Sequence, residues 1–226
     1  MQIFNSEQGT EQWHIDRAGA ATCSNFSMVR ERLKSGPNKG DFTTAAHNYA
    51  FRLAFERVVN TPLDDTFRTV YMDRGNTLED EARMLYSIER AEYVEEVGFI
   101  RFRQDFGYSP DGLVGDDGLI EIKAFVAPDV LMPIFLRGDF QVVMDQVQGG
   151  MWITGRQWCD FVLYIPSLAT KGHELTIRRI YRDDKYISGL EADLREFNGL
   201  VEQYKEEFLH SLQKGEEPTR TTQLRI

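Results

Sequence analysis

Cysteine is nearly missing from this chain, with Cys23 and Cys159 the only two present. They allow at most one bridge, which excludes a disulfide scaffold, and they are too few for the thiolate set of an iron–sulfur cluster. Two reduced thiols are expected. Histidine is sparse as well: His14, His47, His173 and His210 lie far apart without paired spacing, so a histidine zinc site is not expected. No apolar stretch approaches the ~20 residues that span a bilayer, and no apolar run follows a basic start. The expectation is a cytoplasmic protein with no membrane partner. Basic residues are also in short supply, 26 against 36 acidic ones, for a net charge of −10. That balance excludes a protein that coats nucleic acid nonspecifically, but not an enzyme whose cations line one groove.

What is present is the composition of a folded globular protein: 226 residues, 42% hydrophobic and 12% aromatic. No repeat, low-complexity tract or long linker divides the chain. A single domain over 1–226 is expected, with a helical part over about 1–90, a sheet-bearing core over about 91–182 and a closing helix over about 185–213. Helices are expected over 24–34 and 44–60, separated by the Gly/Pro/Asn-rich segment 34–40. A third is expected from Thr77, as N-cap, to about Arg90. Strands are expected over 93–97, 99–102, 119–125, 161–165 and 175–181, with a hairpin turn at 115–118 and a helix over 141–154. This order implies a mixed sheet flanked by helices.

The chemistry concentrates in Ser109-Pro110-Asp111-Gly112 and Leu119-Ile120-Glu121-Ile122-Lys123. On an extended strand Glu121 and Lys123 share one face, and the intervening turn can fold Asp111 back beside them. Hard divalent cations prefer carboxylate oxygens, and a neighbouring lysine can hold the attacking water and offset developing charge. Glu79 adds a third acid, with Arg83 one helical turn on. Taken alone, these residues fit a bland reading equally well. Glu121 and Lys123 could be the solvent face of an edge strand, and Glu79 an acid at a helix start.

Around these residues lie Trp13-His14 to Ser24, Gly75 to Arg83, and Gln146-Val147-Gln148 with Met151-Trp152. With the Ser109–Lys123 block, their order and spacing resemble the phage lambda exonuclease family. These are the YqaJ-like alkaline exonucleases of viral recombination, within the PD-(D/E)xK nuclease superfamily. The resemblance implies an α/β (α+β) fold with a restriction-endonuclease-like core, a central mixed β-sheet flanked by helices. It implies Mg²⁺, with Mn²⁺ as a substitute, held by Asp111, Glu121 and the Ile122 carbonyl. Glu79 would join directly or through water, and Lys123 would position the nucleophile. Arg17, Ser24, Ser109 and Gln148 would grip a terminal 5′-phosphate, a role for which arginine offers a planar fork of donors. Arg30, Arg32, Lys34 and Lys39 would touch duplex DNA, and Met72 would act as an apolar wedge. Cys23 departs from the alanine common in the family.

The activity so implied is 5′→3′ digestion of double-stranded DNA ends, with release of 5′-mononucleotides. The enzyme would be a ring-shaped homotrimer, partnered by a single-strand-annealing protein in a bacterial host, of phage or prophage origin. Two other readings stay open. One is a PD-(D/E)xK endonuclease or repair nuclease without an end requirement. The other is a noncatalytic DNA-end-binding recombination protein. Singly, Arg17 fits a surface arginine, Ser24 a helix cap and Met72 a core methionine. Gln148, on a stripe with Gln141, Asp145 and Trp152, fits a solvated helix face.

Overall fold

Two sheets form in the computed structural model, which describes residues 1–63, 70–124 and 128–213, with backbone alone for 70–76 and 128–130. The first half holds β1 (Gln2–Phe4), α1 (Glu11–Arg17), β2 (Ala21–Thr22), a 3-10 turn (Cys23–Asn25), α2 (Phe26–Arg30), α3 (Thr44–Val59) and α4 (Val70–Arg90). The centre is strand-rich: β3 (Val94–Glu95), β4 (Phe99–Phe102), β5 (Phe106–Tyr108), β6 (Gly112–Val114) and β7 (Gly118–Ala124). Then follow α5 (Pro128–Arg137), α6 (Gln141–Thr154), β8 (Trp158–Tyr164), β9 (Leu175–Tyr181) and α7 (Asp184–Gln213). Among the described residues the sheet orders are β1-β4-β5-β2 and β3-β6-β7-β8-β9.

β7 is the middle strand of the larger sheet. It pairs antiparallel with β6 through the hairpin and parallel with β8, in register from Gly118↔Trp158 to Ala124↔Tyr164. A parallel pair needs a long crossover, and α5 and α6 supply it. Alternation along β7 divides its side chains between two cores. Leu119 packs in the larger, with Val147 and Met151 of α6 and Phe161 of β8. Ile120 and Ile122 pack in the smaller, with Ala82 and Tyr86 of α4. Glu121 points to the α6 side and is only 2% exposed. The edge-strand reading therefore fails, because this carboxylate is buried on a central strand.

Several boundaries differ from expectation. α4 starts at Val70, so Thr77 lies inside it rather than capping it. Gly75 and Asn76 suggest a break, but a helix tolerates one glycine at a cost of about 1 kcal/mol. α2 is shorter than the expected 24–34: Glu31 takes an extended conformation (φ −64°, ψ 137°) and Arg32 bridges Phe42. β3 is confined to Val94–Glu95, β8 starts three residues before its expected position, and β1, α1 and α5 were not anticipated. α7 buries Ile187, Leu190, Leu194, Phe197 and Val201, a stripe at alternating three- and four-residue spacing. Each such side chain contributes about 1.5–3 kcal/mol.

Candidate active site

β6 begins at Gly112, opposite Ile120. Beyond that pair the N–H of Ile122 faces open space on the β6 side, and Asp111, one residue before the strand, takes it: Ile122 N donates to Asp111 Oδ2 at 2.6 Å. Gly112 makes this approach feasible, since a Cβ there would lie 2.2 Å from Val94 Cγ1 and 3.0 Å from Ile120 Cδ1. Lys123 Nζ donates to Glu121 Oε1 at 2.7 Å. Gln146 Nε2, reaching from α6, donates to the same oxygen. The Tyr108 hydroxyl donates to Oε2 at 3.0 Å from the opposite side.

The charges are strongly coupled. Burial pushes the Asp111 carboxyl well above the usual carboxylate range, and the Glu121 charge adds to the push while Lys123 opposes it. Burial also raises Glu79, where Lys123 opposes and Glu121 adds. Burial alone would lower the Lys123 ammonium, but Glu121 and Asp111 outweigh it and hold the proton on. Glu79 thus shares the electrostatic site, although its helix covers the other face of the sheet. Arg83 fixes that placement by donating from Nε to the Asp111 carbonyl at 2.8 Å. Its ion pairs go to Asp80 and Glu96 (2.8 and 3.1 Å) rather than to Glu79. A cleft of about 340 Å³ opens alongside, lined in part by Gln8, Glu79, Arg83, Glu96 and Asp111.

Among the described residues, no group of three or more histidine, cysteine or acidic side chains is preassembled around one metal position. The donor chemistry nevertheless fits a hard divalent cation. Asp111 and Glu121 supply carboxylate oxygens beside the Ile122 backbone, and burial, with the Glu121 charge added to it, opposes the Asp111 negative charge that a bound cation would favour.

The residues expected to bind phosphate divide. Arg17 lies over the Trp13 ring at 3.8 Å, and Trp13 Nε1 donates to Ser109 Oγ at 3.0 Å, two residues from Asp111. Arg17 Nε is buried without a hydrogen-bond partner, and burial lowers the guanidinium pKa. Ser24 is exposed, with its Oγ 3.2 Å from Thr22 Oγ1. Gln148 does not join them. It is fully buried, donating to the Tyr181 carbonyl and accepting from the Asp183 N–H, both at 2.9 Å, and so clamps α6 to the β9–α7 junction. Gln146 faces the site instead. In Gln-Val-Gln the two amides point to different sides of the helix, and the sequence does not say which side meets β7.

The basic cluster is likewise rearranged. Arg30 bonds Asp145 and Asp193 at 2.5 and 2.7 Å, and Arg32 pairs with Glu196 while stacking on Phe42. Both fasten α2 and its loop to neighbouring helices rather than standing free for DNA, whereas Lys34 and Lys39 are exposed. Met72 falls in the first turn of α4, and its side chain lies outside the described residues. Tyr108 is a site residue that the sequence reading lacks, and Trp13 and Gln146 stand there only within the motif blocks, without a site role.

The model of the YqaJ-like viral recombinase domain matches residues 12–157, well over half of the chain. The chain belongs to the YqaJ-like viral recombinase family. Among solved structures this YqaJ-like protein is similar to an alkaline exonuclease (LHK-Exo) from Laribacter hongkongensis. The two are 34% identical with a TM-score of 0.76, covering 91% of this chain and 99% of that one. The same exonuclease in complex with dAMP gives 35% identity and a TM-score of 0.75 over the same shares. A phage related exonuclease from Haemophilus somnus 129PT, at 18% identity and TM-score 0.59 over 85% and 96% of the chains, shares the fold. No curated protein sequence matches significantly. The fold is thus that of the exonuclease, a PD-(D/E)xK-like mixed α/β architecture. Family and neighbours support a nuclease of the exonuclease kind. Among the described residues no helix is long and apolar enough to cross a membrane.

Proposed function

We propose that this YqaJ-like protein is a Mg²⁺-dependent 5′→3′ exonuclease. It acts on double-stranded DNA ends, releases 5′-mononucleotides and leaves a 3′ single strand for annealing. One observation carries the reading: Asp111 closes onto the Ile122 N–H beside a buried Glu121 that is bonded to Lys123. Two carboxylates, a backbone segment and a lysine meet at one point on the central strand.

Asp111, Glu121 and the Ile122 carbonyl would hold the cation, with Glu79 contributing through water. When bound, Mg²⁺ supplies Lewis-acid stabilisation of phosphate charge and a more acidic water. Lys123, kept protonated by its acidic neighbours, donates a hydrogen bond to the attacking water and offsets charge on the scissile phosphate. Arg17, with its unpartnered Nε, and Ser109 grip the 5′-phosphate, Ser24 adds a hydroxyl at the rim, and Gln146 takes the amide role expected of Gln148. The Trp13 bridge ties Arg17 to the Ser109–Asp111 segment, and a 5′-phosphate held there would set the cut one nucleotide inward. Manganese would substitute for magnesium. A homotrimeric ring, threading duplex DNA in the bacterial cytoplasm beside a single-strand-annealing protein, would reconcile this activity with the net charge of −10, since cations need only line the channel.

The reading is tested with a linear duplex carrying a 5′-phosphate, its 5′-hydroxyl twin and a closed circle. The phosphorylated duplex should be digested much faster than its twin and the circle left intact. Equal rates on the twins, or cutting of the circle, would contradict it.

A further inference from the structure

Tyr108 sits where two sheets meet. It ends β5 of the four-stranded sheet, and its hydroxyl crosses to Glu121 on β7 of the other sheet at 3.0 Å. It is 1% exposed. Its ring is wedged against α6 at Gly150, where a Cβ would come within 2.8 Å of Cε1 and 2.9 Å of Cζ, so the hydroxyl has little room to turn elsewhere. The other two donors to Glu121 differ in kind. Lys123 and Gln146 are both half-buried, both are long and flexible, and both converge on Oε1. Glu121 therefore has one oxygen fastened to the core by a rigid ring and one oxygen served by side chains that can move.

We propose that Tyr108 is a positioning residue for the cation site. It holds Oε2 in the core, leaves Oε1 as the single ligand oxygen, and fixes the Glu121 rotamer before the cation arrives. The inference rests on the cation site proposed above. Donors that fix a ligand's orientation commonly govern affinity as strongly as some ligands do. Tyr108 also stands directly before Ser109 and three residues before Asp111, so one short segment carries the anchor, a phosphate-pocket hydroxyl and a ligand.

The test is Mn²⁺ binding to the full chain, followed without DNA by electron paramagnetic resonance, for wild type, Tyr108→Phe, Asp111→Asn and Tyr164→Phe. The last removes another tyrosine–carboxylate bond, from Tyr164 to Glu81 at 3.1 Å, on the α4 side of the sheet and without contact to Glu121. Tyr108→Phe should weaken Mn²⁺ binding about tenfold, while Tyr164→Phe binds as wild type does. The half-saturating Mg²⁺ for digestion should rise by a similar factor, with the rate recovering at saturating Mg²⁺. Unchanged Mn²⁺ affinity in Tyr108→Phe, even with a lowered melting temperature, overturns the inference, as does equal weakening in Tyr164→Phe. If Asp111→Asn abolishes binding while Tyr108→Phe leaves it intact, the inference about Tyr108 alone fails. If Asp111→Asn also binds normally, the cation site itself is refuted.

Discussion

Glu121 receives three donors on its two oxygens while Lys123 gives one of them, so the two residues differ in what their loss would do. Lys123→Ala removes a cation that acts on water and phosphate. Turnover should fall on the order of 10²–10³-fold, while DNA binding in Ca²⁺, measured by fluorescence anisotropy, stays within a few-fold of wild type. Activity near that of wild type would refute the assigned role. Gln146 and Gln148 give a contrast of the same kind. Gln148→Ala breaks the bonds to the Tyr181 carbonyl and the Asp183 N–H and empties a fully buried position. It should destabilise the fold by about 1–3 kcal/mol in urea unfolding. Gln146→Ala, at a half-buried position, should reduce exonuclease rate with little change in stability. The reverse pattern would restore Gln148 to the pocket. Asp111, Glu121 and Lys123 were legible in the sequence because turn and strand spacing let them meet, and the family resemblance favoured that meeting over a solvated edge strand. The choice between the two glutamines was not, because it depends on how α6 is rotated against β7.

α6 is the element that joins site and core, and its glycines show how. At Gly150 an added methyl gains helix propensity of about 1 kcal/mol. It also meets the Tyr108 ring, which cannot move without breaking the bond to Glu121, and such overpacking costs about 1–3 kcal/mol. Strain should win, so Gly150→Ala should lower both stability and activity. On α7, a Cβ at Gly199 meets nothing within 4 Å. Gly199→Ala should therefore stabilise the protein by about 0.5–1 kcal/mol in thermal or urea unfolding. Equal effects at the two sites would contradict the packing described. α3, α6, β9 and the closing helix α7 were readable from periodicity and turn residues. The early start of α4 was hidden by Gly75 and Asn76. α1 and β1 are short and owe their form to tertiary bonds, such as those from the Trp13 indole to the Gly98 carbonyl and Ser109.

For the whole molecule, the acidic balance and the acid cluster in the site act in the same direction. Burial of the Asp111 and Glu79 carboxylates, with the Glu121 charge added to it, opposes folding, and a bound cation relieves it. Divalent cation should thus stabilise the wild type by mass action, about 2.7 kcal/mol at a hundredfold excess over Kd, seen as a raised Tm. The shift should vanish in Asp111→Asn. The ion pairing of Arg30 and Arg32 was not legible in the sequence, because the acids they meet on α6 and α7 are distant along the chain. The central claim is that this hairpin and its neighbours form a metal-dependent exonuclease site. Digestion of a strand-labelled linear duplex with Mg²⁺, Ca²⁺ or EDTA, following product size and polarity, tests it most directly. The account predicts mononucleotides from the 5′-ended strand with Mg²⁺, and binding with little cleavage in Ca²⁺, whose looser coordination suits this chemistry poorly. Digestion in EDTA, internal fragments, or release from the 3′ end would contradict it.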